Sequence, residues 1–180
     1  GNNYVNAFWD GAQMTYGDGA GNQKPLVSID IAGHEMSHGV TSRTAGLIYS
    51  GESGGLNEAT SDIFGTMVEF HANNPQDTPD YLIGEEIYAA NVPGSSNQRA
   101  LRYMYNPIAD TRSPNCYSSD LGNLDVHYSS GVANRFFYLL AEGSGAKTFS
   151  GVNHTAPTCN GGSVAGLGRD KAGKIWYRAL

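Results

Sequence analysis

The 180-residue chain is 39% hydrophobic and 16% charged, and its formal net charge at pH 7 is -6. This composition is typical of a folded domain and excludes a disordered tail or linker. The lysines and arginines are scattered, so no basic patch is available to neutralise a phosphate backbone. No apolar run approaches the roughly 20 residues that a membrane-spanning helix needs. We therefore expect neither nucleic acid nor a membrane as a partner.

The N-terminal segment predicts two short strands joined by a tight turn. Residues 4–9 are aromatic and mixed in polarity, and residues 12–16 form a second such run. Asp10-Gly11 lies between the two runs and is typical of a hairpin turn. After a turn-rich stretch, a first helix is expected over about residues 28–42, with Ile31, Met36 and Val40 as its apolar residues.

A second helix is expected over about residues 56–72. Ile63 and Met67 recur there at helical spacing, and the turn-forming Asn73-Asn74-Pro75 follows directly. The interval 75–128 that comes next is dominated by loop-forming residues. We therefore expect this interval to carry functional sites rather than core.

Two more helices are predicted in the C-terminal part of the chain. Ser129 or Ser130 is expected to cap the first of them, which runs to the stop signal at Gly143. The other is expected over residues 172–180, where apolar side chains recur at i, i+3, i+4, i+7 and i+8. This stripe ends without a capping signal, so we expect the natural protein to be longer than this chain.

A string of five residues, His34-Glu35-Met36-Ser37-His38, gives the strongest indication of chemistry. Residues four apart lie above one another on a helix that turns about 100° per residue, so both imidazoles can bind one ion. Glu35 is offset around the helix and can address a metal-bound water instead. The motif also occurs by chance, because a histidine pair on a helix is often only a surface or core pair.

Two histidines do not complete a zinc site, which needs a third protein ligand and one position for water. Glu58 lies twenty residues after His38, at the head of the predicted second helix, and supplies that ligand. Asp62 follows one turn later on the same face, where it can accept a hydrogen bond from a ligating imidazole. Alone, each carboxylate has a plainer interpretation, as a helix N-terminal or solvated residue. Their joint distance from the histidine motif favours the zinc site.

These motifs, with others in the same order, resemble the thermolysin family of zinc metallopeptidases, specifically its secreted bacterial members. The resemblance covers nearly the whole chain. The further matching stretches are Asn6-Ala7-Phe8-Trp9, Gly46-Leu47-Ile48-Tyr49, Ile83-Gly84-Glu85, Leu101-Arg102-Tyr103-Met104, Asp125-Val126-His127 and Ser130-Gly131. The resemblance implies an α+β fold. Residues 1–27 would be the end of a β-rich lobe with a short hairpin, and residues 28–180 would be an incomplete, mainly α-helical zincin catalytic lobe.

The resemblance implies a zinc-dependent endopeptidase, in which Glu35 activates the zinc-bound water that attacks the peptide carbonyl. His127 and Tyr49 are implied to stabilise the developing oxyanion, and Asp125 to orient His127. Taken singly, Tyr49 is more often a packing aromatic, and His127 is more often a capping or core residue. Only the family context favours the catalytic roles.

The same resemblance assigns residues around the substrate and the zinc ligands. Asn6 and the Ala7 backbone would pair with an extended peptide as an added strand, and Arg102 would bind a substrate carbonyl. Asn57 and Asp62 would orient the ligating imidazoles. The pocket for the residue after the scissile bond would be apolar, which favours a bulky hydrophobic side chain there. Four residues would line this pocket: Leu26, Ile31, Ile83 and Leu101.

A calcium site is also implied by the resemblance, because hard cations prefer clusters of oxygen ligands. Its residues would be Asp30, Glu69, Asp80, Leu82 and Glu85. Glu69 cannot bind the zinc, since it stands roughly 16 Å beyond Glu58 along the helix. Family members with two calcium ions have an acidic residue where Leu82 stands, so we expect one structural calcium. Without the resemblance, these carboxylates would be interpreted as scattered surface charges.

Two other functions stay open. A zinc exopeptidase would use the same histidine motif, but it needs a determinant for a free peptide terminus, whereas Asn6-Ala7 favours an endopeptidase. A catalytically incomplete metal-binding fragment would not need Glu35 and His127, which are both present. We expect protein or peptide substrates, a monomer, and secretion to the extracellular space, where weak calcium sites fill readily.

The two cysteines, Cys116 and Cys159, do not define a framework by themselves. From the residues alone, a disulfide and two unrelated buried thiols are about equally compatible with the sequence. The extracellular location implied by the resemblance favours the disulfide.

Overall fold

The computed structural model describes residues 2–91 and 99–180. Within these ranges the α-helices are α1 (Ile29–Arg43), α2 (Gly51–Ala72), α3 (Val126–Ser129), α4 (Gly131–Glu142) and α5 (Arg169–Ala179). Antiparallel pairs are formed by β1 (Ala7–Trp9) with β2 (Met14–Tyr16), β3 (Leu82–Ile83) with β4 (Arg102–Tyr103), and β5 (Lys147–Phe149) with β6 (Val152–His154). The predicted α+β class is confirmed. In the part of the chain that is described, no helix is long and apolar enough to span a membrane.

The predicted N-terminal hairpin is present, with shorter strands than expected. β1 and β2 pair in register from Ala7 opposite Tyr16. The turn is stabilised by Asp10, whose carboxylate accepts the backbone N–H groups of Ala12 and Gln13, each at 2.8 Å. Residues 12 and 13 are therefore part of the turn rather than of the second strand.

α1 and α2 cross with their backbones in contact at Gly33 and Gly65. A Cβ on Gly65 would lie 2.4 Å from the carbonyl oxygen of Asp30 and 3.1 Å from the nitrogen of His34. A Cβ on Gly33 would lie 2.9 Å from the Cα of Gly65. Real side chains do not tolerate such approaches, so the two glycines set the separation of the helices.

The apolar residues predicted for α1 are only partly buried. Ile31 is buried, but Met36 is 59% exposed and Val40 is 37% exposed. These two side chains border an open apolar groove between α1 and α2. The spacing of these residues thus predicted the helix correctly, but it did not predict that Met36 and Val40 would be exposed.

α2 begins five residues before the predicted start, because Gly54 and Gly55 belong to the helix. Glycine disfavours a helix by about 1 kcal/mol relative to alanine, which is why the sequence indicated a later start. The close approach of α3 requires both glycines: a Cβ on Gly54 would lie 2.4 Å from Val126 Cγ1, and one on Gly55 would lie 2.4 Å from Ser129 Oγ. The end of α2 is as predicted, with Asn73 in the left-handed region.

The interval 75–128 carries core as well as sites, so the expectation that it would not was wrong. Its β3 and β4 segments and their neighbours place large side chains in the main hydrophobic core, between α2, α4 and α5. The residues of this interval in that core are Tyr81, Ile83 and Met104, each at most 1% exposed. Strands of two residues are too short to show an alternating pattern, so they could not be predicted from the sequence.

α3 and α4 follow one another closely at the predicted position, and Gly143 ends α4 as expected. The cap differs from the prediction. Asp125 caps α3, since its side chain accepts the backbone N–H of His127 at 2.9 Å. Ser130 precedes α4 without a side-chain capping bond, and its hydroxyl donates to the carbonyl of His127 at 3.0 Å instead.

The expected disulfide is confirmed. Cys116 and Cys159 are bridged, with their Cα atoms 5.9 Å apart. Arg135 of α4 lies beside the bridge, where its guanidinium donates to the carbonyl of Asn115 at 3.3 Å and to the carbonyl of Pro157. The bridge and Arg135 together hold two distant loops against α4.

Gly65→Ala is expected to lower the free energy of unfolding by about 1–3 kcal/mol. Overpacking against α1 outweighs the gain of about 1 kcal/mol in helix propensity. Gly173→Ala in α5 is the matched control, because its Cβ would meet only the end of the flexible Met67 side chain, at 3.1 Å. We expect that variant to be as stable as the native protein or more so. Urea unfolding measures both, and a fully stable Gly65→Ala variant would contradict the backbone contact.

Candidate active site

Three predicted zinc ligands converge where α1 crosses α2. The Nε2 atoms of His34 and His38 are 3.2 Å apart, and the two carboxylate oxygens of Glu58 lie 3.4 and 3.3 Å from them. A tetrahedral ion bound at 2.0–2.1 Å separates its ligand atoms by about 3.3 Å. Oε2 of Glu58 is buried and has no hydrogen-bond partner among the described residues. The spacing and the unpartnered oxygen both fit a zinc ion.

The outward nitrogen of each histidine is held by a second residue. Nδ1 of His34 lies 2.7 Å from Oδ1 of Asp62, and Nδ1 of His38 lies 2.8 Å from Oδ1 of Asn57. An acceptor at Nδ1 favours the tautomer that leaves Nε2 free to bind a metal. Asn57 is fixed in turn, because its amide donates to the carbonyl of Leu47 at 2.9 Å. Asn57 and Asp62 thus lie where the sequence placed them.

Two carboxylates of α2, Glu58 and Asp62, remain ionised here although they are buried. Burial raises the pKa of Glu58, but the charges and hydrogen bonds of His34, His38 and Arg102 outweigh it and hold the pKa at about 2. Burial is likewise outweighed at Asp62, where Arg102 and His34 keep the pKa well below its usual range. An ionised Glu58 is the form that binds a metal.

Glu35 lies beside the three ligands. Its carboxylate and the ring nitrogens of His34 and His38 offer ligand atoms within 4.8 Å of one another. The residue is 6% exposed and faces a cavity of about 400 Å³ between the hairpin and the two helices. The cavity is lined by Asn6, Ala7, Phe8, Trp9, His34, Glu35, His38, Tyr49, Asn57, Glu58 and His127.

Tyr49 and His127 meet on the other side of the cavity. The Tyr49 hydroxyl donates to Oε1 of Glu58 and lies 3.3 Å from Nε2 of His127. Nδ1 of His127 is 2.7 Å from Oδ1 of Asp125. Tyr49 is 51% exposed, and its ring also makes T-shaped contacts with the rings of His38 and His127. Burial and the charge of Glu58 raise the pKa of Tyr49, which keeps its hydroxyl protonated.

The predicted substrate-binding residues are only partly brought together. Asn6 and Ala7 line the cavity. Arg102 instead grips Asp62, with Nε and one terminal nitrogen each donating at 2.7 Å to a different carboxylate oxygen. Within the described ranges, Arg102 is not among the residues that line the cavity.

The four residues of the predicted apolar pocket fall into two clusters. Leu26 and Ile31 pack together with Leu101 beside Ala7. Ile83 belongs to the main core. In the described part of the chain none of the four is among the residues that line the 400 Å³ cavity.

A second cluster of carboxylates lies at the far end of the α1–α2 pair. Ligand oxygens of Glu69, Asp77 and Glu85 lie within 4.8 Å of one another. Asp30 is close by, and its Oδ2 accepts the backbone N–H of Gly84 at 2.5 Å. No described residue donates to either oxygen of Glu69, to Oδ1 of Asp30 or to Oε2 of Glu85.

The carboxyl groups of this cluster have raised pKa values, whereas those of Glu58 and Asp62 are lowered. Burial and then the neighbouring carboxylates raise the pKa of Glu69 to about 12. The same causes raise the pKa of Asp77 to about 6, and burial with nearby acids raises that of Asp80 to about 7. Buried carboxylates that lack hydrogen-bond donors repel one another when they are ionised. A bound divalent cation would remove this repulsion, so the cluster fits such an ion.

The direction of the Leu82 carbonyl follows from the hydrogen bonds of the β3 segment. The carbonyls of its two neighbours, Tyr81 and Ile83, accept N–H groups from the β4 side at 2.9 and 2.8 Å. Because the carbonyl groups of successive strand residues point to opposite edges of the strand, the Leu82 carbonyl faces away from β4. Its own N–H donates to Oδ1 of Asp80 at 2.7 Å, so the carbonyl faces the carboxylate side.

Asp77 is a member of the cluster that sequence reasoning missed. It lies in the loop that joins α2 to β3, where no periodic spacing marks a ligand. The usable signal was the shortness of that loop: Glu69 and Asp80 are only eleven residues apart, so an acidic residue between them stays near both.

Two histidines and a glutamate with a second glutamate beside them, facing the cavity between the hairpin and the crossing helices, have the donor set of a His-His-Glu metal centre. A family model described as the thermolysin metallopeptidase α-helical domain matches residues 45–180, and one described as the thermolysin metallopeptidase catalytic domain matches residues 1–42. The chain belongs to the thermolysin metallopeptidase family.

Several relatives are similar over the whole chain. A transglutaminase-activating metalloprotease from Streptomyces mobaraensis is 60% identical over 182 residues, which cover 100% of this chain and 23% of the relative. A thermolysin from Alicyclobacillus acidocaldarius subsp. acidocaldarius is 48% identical, with 100% of this chain and 30% of the relative covered. The solved precursor of protealysin, a metalloproteinase from Serratia proteamaculans, is 38% identical with a TM-score of 0.61, and the match covers 78% of this chain and 47% of that one.

Proposed function

We propose that the protein is a zinc-dependent endopeptidase. The observation that carries the proposal is the set of ligand separations of 3.2 to 3.4 Å among His34, His38 and Glu58, with Glu35 facing the same cavity. Bound zinc lowers the pKa of a coordinated water to about 7 and polarises a carbonyl group. His34, His38 and Glu58 would hold the ion.

Glu35 would act as the general base and then as the proton carrier. Its carboxylate accepts a proton from the attacking water and delivers it to the nitrogen of the leaving amine. The residue is nearly buried, which shields this proton from exchange with bulk water. Tyr49 and His127 would donate hydrogen bonds to the oxygen on which negative charge develops. Asp125 would keep His127 oriented and favour its charged form.

Peptide main chain would supply much of the recognition. The Asn6–Ala7 segment lines the cavity beside the β1–β2 hairpin, which suits the addition of an extended substrate as a further strand. Arg102 would bind a substrate carbonyl through the terminal nitrogen that does not take part in the two bonds to Asp62. An internal segment of a polypeptide meets these requirements without a free terminus, so we favour an endopeptidase over an exopeptidase.

The specificity pocket would be lined by Leu26, Ile31, Ile83 and Leu101, and would accept a bulky hydrophobic side chain after the scissile bond. Leu26, Ile31 and Ile83 are buried and all four residues are apolar, so a charged substrate side chain would lose its hydration there. The residues before Ser28 would belong to a β-rich lobe and the rest to the helical lobe.

We also propose one structural calcium ion bound by Asp30, Glu69, Asp80, Glu85 and the carbonyl of Leu82, with Asp77 as a further ligand. Calcium accepts six to eight oxygen ligands in flexible geometry, which suits contributions from two helices and a loop. Secretion of a monomer is proposed with it, supported by the disulfide and by the ease with which weak calcium sites fill outside cells.

Glu35→Gln is expected to reduce kcat by about 10²–10⁴-fold, because it removes the general base while preserving side-chain shape. The exposed Glu52→Gln is the control and should retain native activity. Casein hydrolysis and metal analysis are measured together on the zinc-loaded protein. An unchanged zinc content with lost hydrolysis supports the assignment. Hydrolysis that survives in Glu35→Gln would overturn the mechanism, and hydrolysis that survives zinc removal would overturn the proposed class.

Cleavage of a denatured protein is expected mainly before leucine, isoleucine and phenylalanine. Leu101→Ala should enlarge the pocket and shift the preference toward the larger side chain by about tenfold in relative kcat/KM. The exposed Leu167→Ala should leave the preference unchanged. Peptide sequencing of the products measures both, and cuts that fall mainly before charged residues would contradict an apolar pocket.

Removal of calcium is expected to lower Tm by about 5–10 °C, since saturation at 100 times Kd contributes about 2.7 kcal/mol. Asp77→Asn should weaken calcium binding, whereas Asp120→Asn, in an exposed loop, should not. Calcium titration followed by thermal unfolding measures the effect with zinc kept bound. A second calcium ion per chain in metal analysis would refute the stoichiometry, and a native response in Asp77→Asn would remove that residue from the site.

A further inference from the structure

Asp62 is the most heavily bonded side chain beside the proposed zinc ligands. Oδ1 receives Nδ1 of His34 and a terminal nitrogen of Arg102, each at 2.7 Å. Oδ2 receives Nε of Arg102 and Nδ2 of Asn134, also at 2.7 Å. Three elements therefore contact one carboxylate: α1 through His34, β4 through Arg102 and α4 through Asn134.

Asn134 has no role in the chemistry proposed above, yet it is 1% exposed. Its Oδ1 is buried and has no hydrogen-bond partner among the described residues. A buried unsatisfied carbonyl destabilises a fold, so an apolar side chain would suit this part of the core better. The contribution of the Asn134 amide is therefore the hydrogen bond that it donates to Asp62.

The geometry of the donors shows what that bond controls. The Arg102 fork defines the plane of the Asp62 carboxylate, but it is carried by a long side chain on a two-residue strand. Asn134 has a short side chain on a twelve-residue helix, so it fixes Oδ2 from a rigid support. With Oδ2 fixed, Oδ1 stays directed at Nδ1 of His34, and the imidazole keeps Nε2 toward the ligand centre.

We propose that Asn134 is a positioning residue for the metal ligand His34, acting through Asp62. This inference rests on the proposed zinc function, because the ring that Asn134 orients is a zinc ligand only in that function. The same helix follows directly on the segment that carries His127. A single rigid element thus orients a ligand on one side of the ion and supports a hydrogen-bond donor on the other.

Asn134→Leu tests the inference, since it keeps the branched heavy-atom skeleton of the side chain and removes the donor. The rate of zinc release from the loaded protein to a chromogenic chelator is expected to increase on the order of tenfold, the lower end of the effect of residues that support metal ligands. Asn134→Ser, which is too short to reach Asp62, should also release zinc faster. Tyr138→Phe is the matched control: it removes a buried hydroxyl one turn further along α4 and should release zinc at the native rate.

Unfolding of the zinc-free proteins separates positioning from packing. A packing role alone would change the stability of the zinc-free protein and leave zinc release at the native rate; that result in both variants would overturn the inference. If Asn134→Leu does not yield folded protein, Asn134→Ser decides by the same criterion. A native protein that binds no zinc would instead refute the proposed function itself, so the two failures are distinguishable.

Discussion

The contact between α1 and α2 at Gly33 and Gly65 is the constraint on which both proposed metal sites depend. The two backbones lie so close that neither glycine has space for a Cβ atom. Gly33 directly precedes the ligand His34, and Gly65 follows Glu58 by two turns. The same crossing brings Asp30 next to Gly65 and holds it near Glu69 at the far end. One close approach therefore sets the ligand separations on either side of it.

The buried carboxylates of α2 lie in two opposite electrostatic environments. At Glu58 and Asp62, histidines and Arg102 supply positive partners from neighbouring elements, so the pKa of each carboxylate is low although its burial is nearly complete. Three turns from Glu58, Glu69 faces only other acids, and its pKa is raised. Glu58 and Asp62 are ionised without a metal and can therefore bind one directly. The carboxylates around Glu69 would instead be stabilised by a bound cation. Sequence spacing alone does not separate these cases, because both consist of carboxylates on one helix face.

Most of the helices and the convergence of His34, His38 and Glu58 could be predicted from the sequence, because both depend on local spacing along a helix. His34, His38, Glu58 and Asp62 stand at separations that a regular helix turns directly into positions on one face. The start of α2 could not be predicted in this way, since Gly54 and Gly55 are selected by the close approach of α3 rather than by helix propensity. Asp77 and Asn134 were missed for a related reason: each meets its partners through tertiary packing.

The long-range hydrogen bonds also revise the interpretation of Arg102. As a lone arginine near a cleft, it suits a substrate carbonyl, and that role stays a prediction. Its two bonds to Asp62 give it a structural task that no local motif indicates, because forty residues separate the partners. The division of the chain at residue 27 likewise stays a prediction, since it concerns a lobe of which this chain contains little.

The disulfide between Cys116 and Cys159 closes a covalent ring, with a sequence separation of 43. Asp125, His127 and Asn134 lie inside the ring, and the three zinc ligands lie outside it. With the proposed protease activity, the protein would be exposed to its own hydrolysis, and exposed residues within this ring would be open to attack. Hydrolysis of a peptide bond anywhere between the two cysteines leaves the two fragments joined by the disulfide that lies beside Arg135. A nicked molecule thus retains α3 and α4 as covalently attached parts, and self-cleavage in this region does not by itself release half of the catalytic apparatus.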